Sequence, residues 1–288
     1  MKKIGLGIFI GIVVLGLSGV VGAGLIIPAA DRAKEAAKAP KNSPAISENW
    51  ALEAPGLEKI EFIHWKKGFA KPPCNNNGIC EPELGENPSC ADCKNEGEEP
   101  APTETCYAFL GQYGKKLLKW GELPVDYVIN PTNPNELSET FVTGAISAGA
   151  EEWDNSTGAE LFNDVYGVDY AAVYGVRDYL NAITWDNYPT EGVIAVTTVW
   201  YSPATKTIVE FDIMFDTDWV WGDATVNPEV MDLQNIAVHE IGHGEGLADV
   251  YEIECSMVTM YGYSNYGETQ KRDLELPDIT GIQKLYGI

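Results

Sequence analysis

The sequence predicts an α+β domain behind a set of N-terminal appendages, and three observations carry that reading. Residues 138–153 place Phe141, Ala145, Ile146, Ala148 and Trp153 close to a 3.6-residue period, one apolar stripe of a helix. Residues 192–201 and 206–216 read as strands, and Ser202-Pro203-Ala204-Thr205 between them reads as the turn of a hairpin. A second helix follows, with Asn227 as its cap, Pro228 in its first position, and Leu233, Ile236, Val238 and Ile241 supplying its buried surface.

Taken in order, the chain opens with Lys2 and Lys3 and then carries no charge over residues 4–30. A cleaved signal peptide has an apolar region of about 7–15 residues and a spanning helix needs about 20, so this run favours an uncleaved anchor. Val21-Gly22-Ala23 offers small residues for a signal peptidase, which keeps a cleaved, secreted form open. Both readings keep the lysines in the cytoplasm, export everything after residue 31 and bring the N-terminus into contact with a membrane. Residues 31–56, rich in Ala, Lys, Pro and Ser, form a linker.

Residues 57–105 read as a short strand, a cysteine-rich segment and a second linker. Over residues 57–65, Ile60, Phe62 and His64 alternate with Glu61, Ile63 and Trp65; His64 is expected to be structural or at the surface rather than a metal ligand. Cys74, Cys80, Cys90 and Cys93 follow among Asn, Gly and Pro, with almost nothing apolar to bury. In an exported chain they read as two disulfides, a zinc cluster being the alternative. Cys106 and Cys255 are left to pair with each other and would tie the start of a domain at residues 106–288 to a loop late in it.

Within that domain residues 124–130 read as a first strand, and Asn135 or Ser138 is available to cap the helix at 138–153. Asn155-Ser156-Thr157 is a glycosylation acceptor just beyond it. Forty-three acidic against nineteen basic residues give a formal charge of −24, which argues against nucleic acid as a partner and suits calcium or high salt, although no dense calcium-loop spacing is present. No feature specifies an oligomeric state.

The chemistry concentrates in His239-Glu240-Ile241-Gly242-His243-Gly244-Glu245-Gly246-Leu247-Ala248-Asp249. Residues four apart share a helix face, so His239 and His243 can present two imidazoles to one metal ion. Glu240 sits beside that ion, placed to take a proton from a water whose pKa zinc brings to about 7. Gly246 can take a positive φ and turn the chain so that Asp249 returns as the third ligand. Three protein ligands with one open position describe a catalytic zinc rather than a closed structural one. A purely structural site has no use for Glu240, which weighs against a non-catalytic surface binding module; a zinc amidase or deacetylase is a further alternative.

These residues resemble a metzincin metalloprotease, and among metzincins most closely the matrixins, over residues 106–288. Met260, in Thr259-Met260-Tyr261, is similar to the methionine turn beneath the zinc, and residues 276–287 resemble the last matrixin helix. The resemblance implies a twisted, mostly parallel sheet with an antiparallel edge strand over the cleft, assigned to residues 192–201. It also implies endopeptidase activity on protein or peptide substrates that add to that edge. Asp249 stands where the commoner motif has histidine, the histidines of a second structural zinc are absent, and no cysteine switch is evident.

Overall fold

The computed structural model describes residues 25–26, 56–69, 105–113 and 116–288. The four clustered cysteines and most of the proposed export segment lie outside the described residues. Among those described, no helix is long and apolar enough to cross a membrane.

The strands that position the site are β1 (Glu58–Lys66), β2 (Ala108–Phe109), β3 (Val128–Ile129), β4 (Gly167–Val168), β5 (Ala182–Asp186), β6 (Val193–Ser202) and β7 (Thr207–Asp216), followed by β8 (Leu247–Ala248) and β9 (Tyr263–Ser264). Three helices are described: α1 (Glu139–Asp154), α2 (Leu233–Gly244) and α3 (Leu276–Tyr286). The main sheet runs β4-β3-β5-β7-β6-β1-β9, and Leu25–Ile26 adds two parallel residues beside β4. From β4 to β7 the strands are parallel; β6 is antiparallel to both β7 and β1, and β9 is parallel to β1. This is the α+β class with a mixed sheet that the sequence predicts.

The helix starts follow local chemistry. Ser138 is in extended conformation and its Oγ accepts from Phe141 N at 3.2 Å, so it is the cap of α1. Asn135 is used elsewhere: its Oδ1 accepts from Trp221 N at 3.0 Å. The expected start of α2 is corrected. Asn227 and Pro228 form a turn in which Asn227 Oδ1 accepts from Glu229 N, and the helix begins five residues later under Asp232, whose Oδ1 accepts from Asn235 N at 2.9 Å. Buried Asp232 also binds Arg272, so one carboxylate caps the helix and ties it to the segment before α3.

All of α2 except Gln234 is buried, between the sheet and α1. Trp153 at the end of α1 is fully buried and its indole N–H donates to Val238 O at 2.8 Å, which locks the two helices together. Phe211, Ile213 and Phe215 of β7 continue the same core under α2.

Two expectations about the sheet change. The strand expected at residues 57–65 forms, but as a member of the main sheet rather than of a separate segment before residue 106. In consequence β6 is not an exposed edge: β7 occupies one side and β1 the other. The reason is the alternation itself, since both faces of β1 find apolar neighbours, Ile60 and Phe62 in the main core and Ile63 and Trp65 against Val193, Val196 and Met214.

Candidate metal centre and active site

One turn of α2 brings His239 and His243 together, with their Nε2 atoms 3.1 Å apart. The helix ends at Gly244, and Gly246 turns the chain at φ +105°; a Cβ there would also lie 2.8 Å from the Leu118 carbonyl oxygen. β8 then pairs with β2 and delivers Asp249, whose Oδ1 lies 3.2 Å from His239 Nε2 and 3.4 Å from His243 Nε2. Tyr251 donates its hydroxyl to Asp249 Oδ2 at 3.0 Å, leaving Oδ1 toward the imidazoles.

The tautomers follow from the outer partners. His239 Nδ1 faces Thr259 O at 2.7 Å and His243 Nδ1 faces Leu247 O at 3.0 Å. A carbonyl oxygen only accepts, so both Nδ1 atoms carry hydrogen and both Nε2 lone pairs point at each other and at Asp249. Asp249 Oδ1 is buried without a hydrogen-bond donor. Three acceptors thus converge on one point, an arrangement that a proton or a cation must satisfy.

Electrostatics agree with that picture. Burial, and then the Lys271 ammonium, push His239 down to about 3, so its imidazole is neutral. Burial lowers His243 too, but the Asp249 carboxylate outweighs it and the group is raised. Burial would raise Asp249, yet His243 and His239 hold it below the ordinary carboxylate range. Burial raises Glu240 to about 7, near the value that suits a general base at neutral pH.

Glu240 lies beside that cluster, its carboxylate grouped within 4.8 Å with ring nitrogens of His64 and His239. Thr197 Oγ1 on β6 donates to its Oε2 at 2.5 Å, and His64 Nδ1 lies 3.0 Å from its Oε1. His64 is therefore neither exposed nor peripheral: it is fully buried, its ring centroid 4.0 Å from that of His239. The alternation of Ile60, Phe62 and His64 on one face was the available signal, because it puts His64 on an apolar, inward face. Glu245, the other carboxylate in the motif, is buried at the C-cap of α2 outside the cluster.

Met260 lies beneath the helix and is fully buried, whereas Met257 is partly exposed. A Cβ on Gly242 would sit 2.5 Å from Met260 Sδ and 2.7 Å from Trp153 Cζ2, so glycine is required for this approach. The turn is held from α3 by Asp278, whose carboxylate accepts from Thr259 N at 2.9 Å, Met260 N at 3.1 Å and Glu275 N at 3.0 Å. Thr259 in turn supplies the carbonyl that orients His239. Sequence inspection missed Asp278, Thr197 and Lys271 because each acts from a distant element. Lys271 is buried, with its ammonium donating to the carbonyls of Tyr261 and Tyr263.

The expected Cys106–Cys255 disulfide forms, with Cα atoms 5.4 Å apart. It closes the segment that contains Asp249 onto the start of β2.

The matrixin profile of the peptidase M10 family matches residues 119–287, more than half of the chain. The chain belongs to the matrixins. Human matrix metalloproteinase-16 is 28% identical over 189 residues, which cover 63% of this chain and 28% of that protein. Human neutrophil collagenase is 28% identical over 171 residues, 59% of this chain and 34% of its own length. Metalloendoproteinase 1 of Glycine max is 42% identical over a shorter 79 residues, 26% of this chain and 25% of that protein. The chain therefore spans roughly a third or less of each of these relatives. Matrixins are extracellular zinc metalloendopeptidases acting on protein substrates, and the histidine and carboxylate cluster of this matrixin is consistent with that metal. Among the described residues both groupings of candidate metal ligands contain histidine, which suits zinc rather than the all-oxygen shell that calcium takes.

Proposed function

We propose that this matrixin is a zinc endopeptidase of extracellular proteins in which His239, His243 and Asp249 hold the metal and Glu240 is the general base. The convergence of three buried acceptors carries the proposal. Ligand atoms about 2.0–2.2 Å from a tetrahedral zinc lie about 3.3–3.6 Å from one another, close to the separations of 3.1, 3.2 and 3.4 Å found among the two Nε2 atoms and Asp249 Oδ1. Zinc supplies Lewis acidity, polarising a peptide carbonyl and bringing water's pKa toward about 7.

The rest is work for the chain. The carbonyls of Thr259 and Leu247 hold the imidazoles in the ligating tautomer, and Tyr251 aims the Asp249 carboxylate. Glu240 takes the proton of the attacking water on a carboxylate oxygen and passes it to the leaving amine nitrogen. Thr197 holds the other oxygen so that the proton-accepting lone pair keeps its direction. Met260 supports the site by packing. The uncharged residues 4–30 are read as an anchor or a cleaved signal, either of which delivers the domain outside the cell.

Glu240→Ala tests the mechanism. The variant is expected to keep zinc and to lose turnover of a peptide substrate by about 10²–10⁴-fold or more, with zinc content and circular dichroism measured on the same preparation. Retained turnover would sink the assignment.

A further inference from the structure

We infer that Lys271 and Ser264 close the end of a side-chain pocket beside the metal centre and select glutamate as the substrate residue that follows the scissile bond. The inference rests on the peptidase reading above and adds the class of peptide that the site accepts.

The place of the pocket is marked by β1, which lies on β6 as an extended peptide does when it continues a sheet ladder, antiparallel and with His64 opposite Ala195. The His64 side chain sits between His239 and Glu240 of α2 on one side and Ser264 and Lys271 on the other. Its ring centroid is 4.0 Å from that of His239, and its Nδ1 is 3.0 Å from Glu240 Oε1. Glu240 passes its proton to the leaving amine, so a residue held against Glu240 is the one that contributes that amine. The far nitrogen, Nε2, marks the end of the pocket.

Two buried donors converge on that end. Ser264 Oγ lies 3.0 Å and Lys271 Nζ 3.4 Å from His64 Nε2, and both side chains are fully buried. An ammonium only donates, so Nε2 accepts, and Nδ1–H is left to donate to Glu240. A ring nitrogen has a single lone pair for two donors, whereas a carboxylate offers an oxygen to each. Lys271 otherwise donates to the carbonyls of Tyr261 and Tyr263. Burial lowers it to about 8, so it is charged at neutral pH. Among the described residues no carboxylate is paired with it within 4.0 Å, and Glu268 is bound to Lys67 at 2.9 Å.

A buried charge without a counter-ion is costly, and a ligand carboxylate supplies both the missing charge and the second acceptor. Glutamate carries its carboxylate oxygens as many bonds from Cα as histidine carries Nε2, and aspartate stops one bond short. A leucine side chain would leave the ammonium and the hydroxyl buried without an acceptor at this point.

The test uses the zinc-loaded full-length chain and three peptide hydroxamates that differ only in the residue after the chelating group: glutamate, its neutral isostere glutamine, and leucine. Binding is read by calorimetry, and hydrolysis of quenched fluorescent peptides varied at the same position is read beside it. All three probes compete alike with His64 for the place, so the ratio of their affinities reports the pocket itself. The glutamate probe is expected to bind about 30-fold or more tighter than the other two, and kcat/KM should follow the same order. Lys271→Met should abolish the preference by weakening the glutamate probe alone; a variant that keeps it overturns the role of Lys271. If that variant does not fold, the glutamate-to-glutamine ratio of the parent decides. A ratio near one, a preference for leucine, or binding of none of the probes overturns the inference, whatever the turnover. Glutamate-selective binding without hydrolysis of any peptide upholds the pocket and overturns the peptidase reading instead.

Discussion

At the scale of single residues the centre depends on which atoms can only accept. Two carbonyls fix the histidine tautomers, and Asp249 supplies the third acceptor, 3.2 and 3.4 Å from the ring nitrogens. Asp249→Ala is expected to lose zinc near neutral pH, since two imidazoles alone hold it weakly against competition. Asp249→His should retain metal and part of the activity by restoring a nitrogen ligand. Zinc titration of the three proteins checks both, and parental affinity in Asp249→Ala would move the third ligand elsewhere. Acid should strip the metal through His243 first, because the Asp249 carboxylate outweighs burial and raises that imidazole, while burial and then Lys271 push His239 down to about 3 and the imidazoles, against burial, hold Asp249 below the ordinary carboxylate range.

At the scale of elements, the same substitution in two helices should have opposite signs. Gly242→Ala puts a methyl into Met260 Sδ and Trp153 Cζ2, and overpacking of this kind costs about 1–3 kcal/mol. Gly144, on the exposed side of α1, would have nothing within 4 Å of an added methyl, so Gly144→Ala removes only backbone entropy and should stabilise by about 0.5–1 kcal/mol. Thermal melts of both variants, zinc-free, make the comparison; a neutral Gly242→Ala would show that Met260 has room to yield. Asp278 illustrates how elements share work here, since one carboxylate on α3 holds the turn whose Thr259 carbonyl orients His239.

At the scale of the whole molecule, covalent and titrating groups set stability. The Cys106–Cys255 bridge spans 149 residues, and loop-entropy reckoning makes that worth at most about 5 kcal/mol. Cys106→Ser/Cys255→Ser should therefore melt well below the parent, and an unchanged melting temperature would mean that native strain cancels the gain. Stability should also depend on pH through two buried carboxylates on β7. Glu210 accepts from Asp178 N and Tyr179 N, and Asp212 from Gly175 N and Ala182 N, pinning residues 175–182 to the sheet. Burial raises Glu210 to about 7 and Asp212 to about 8. Folded values above the unfolded ones mean that the folded state holds more protons, so their contribution is full at low pH and is lost as pH rises through those values. Buried neutral histidines act in the opposite sense, but only below about pH 6.5. Between pH 6.5 and 8 the metal-free chain should thus lose on the order of 1–2 kcal/mol, read as a falling melting temperature in calorimetry with chelator present. A rising melting temperature across that window would contradict the assignment.

The ligand-bearing helix, the turn at Gly246, the hairpin of β6 and β7, and the cap at Ser138 were legible in the sequence because each is set by neighbours a few residues apart. The Cys106–Cys255 pair was legible by elimination in an exported chain. The start of α2 was not, because Asn227-Pro228 is a sound cap in isolation and only the pairing of Met231–Asp232 with Trp221–Gly222 and the Arg272 contact favour Asp232. The place of β1 was hidden for a related reason. Its alternation marks a strand and even an inward His64, but which sheet receives it depends on β6 and β9, more than a hundred residues away. Local chemistry determined the metal-binding helix; only the tertiary structure, by long-range pairing that no local pattern encodes, decided that this chain lays its own strand across it.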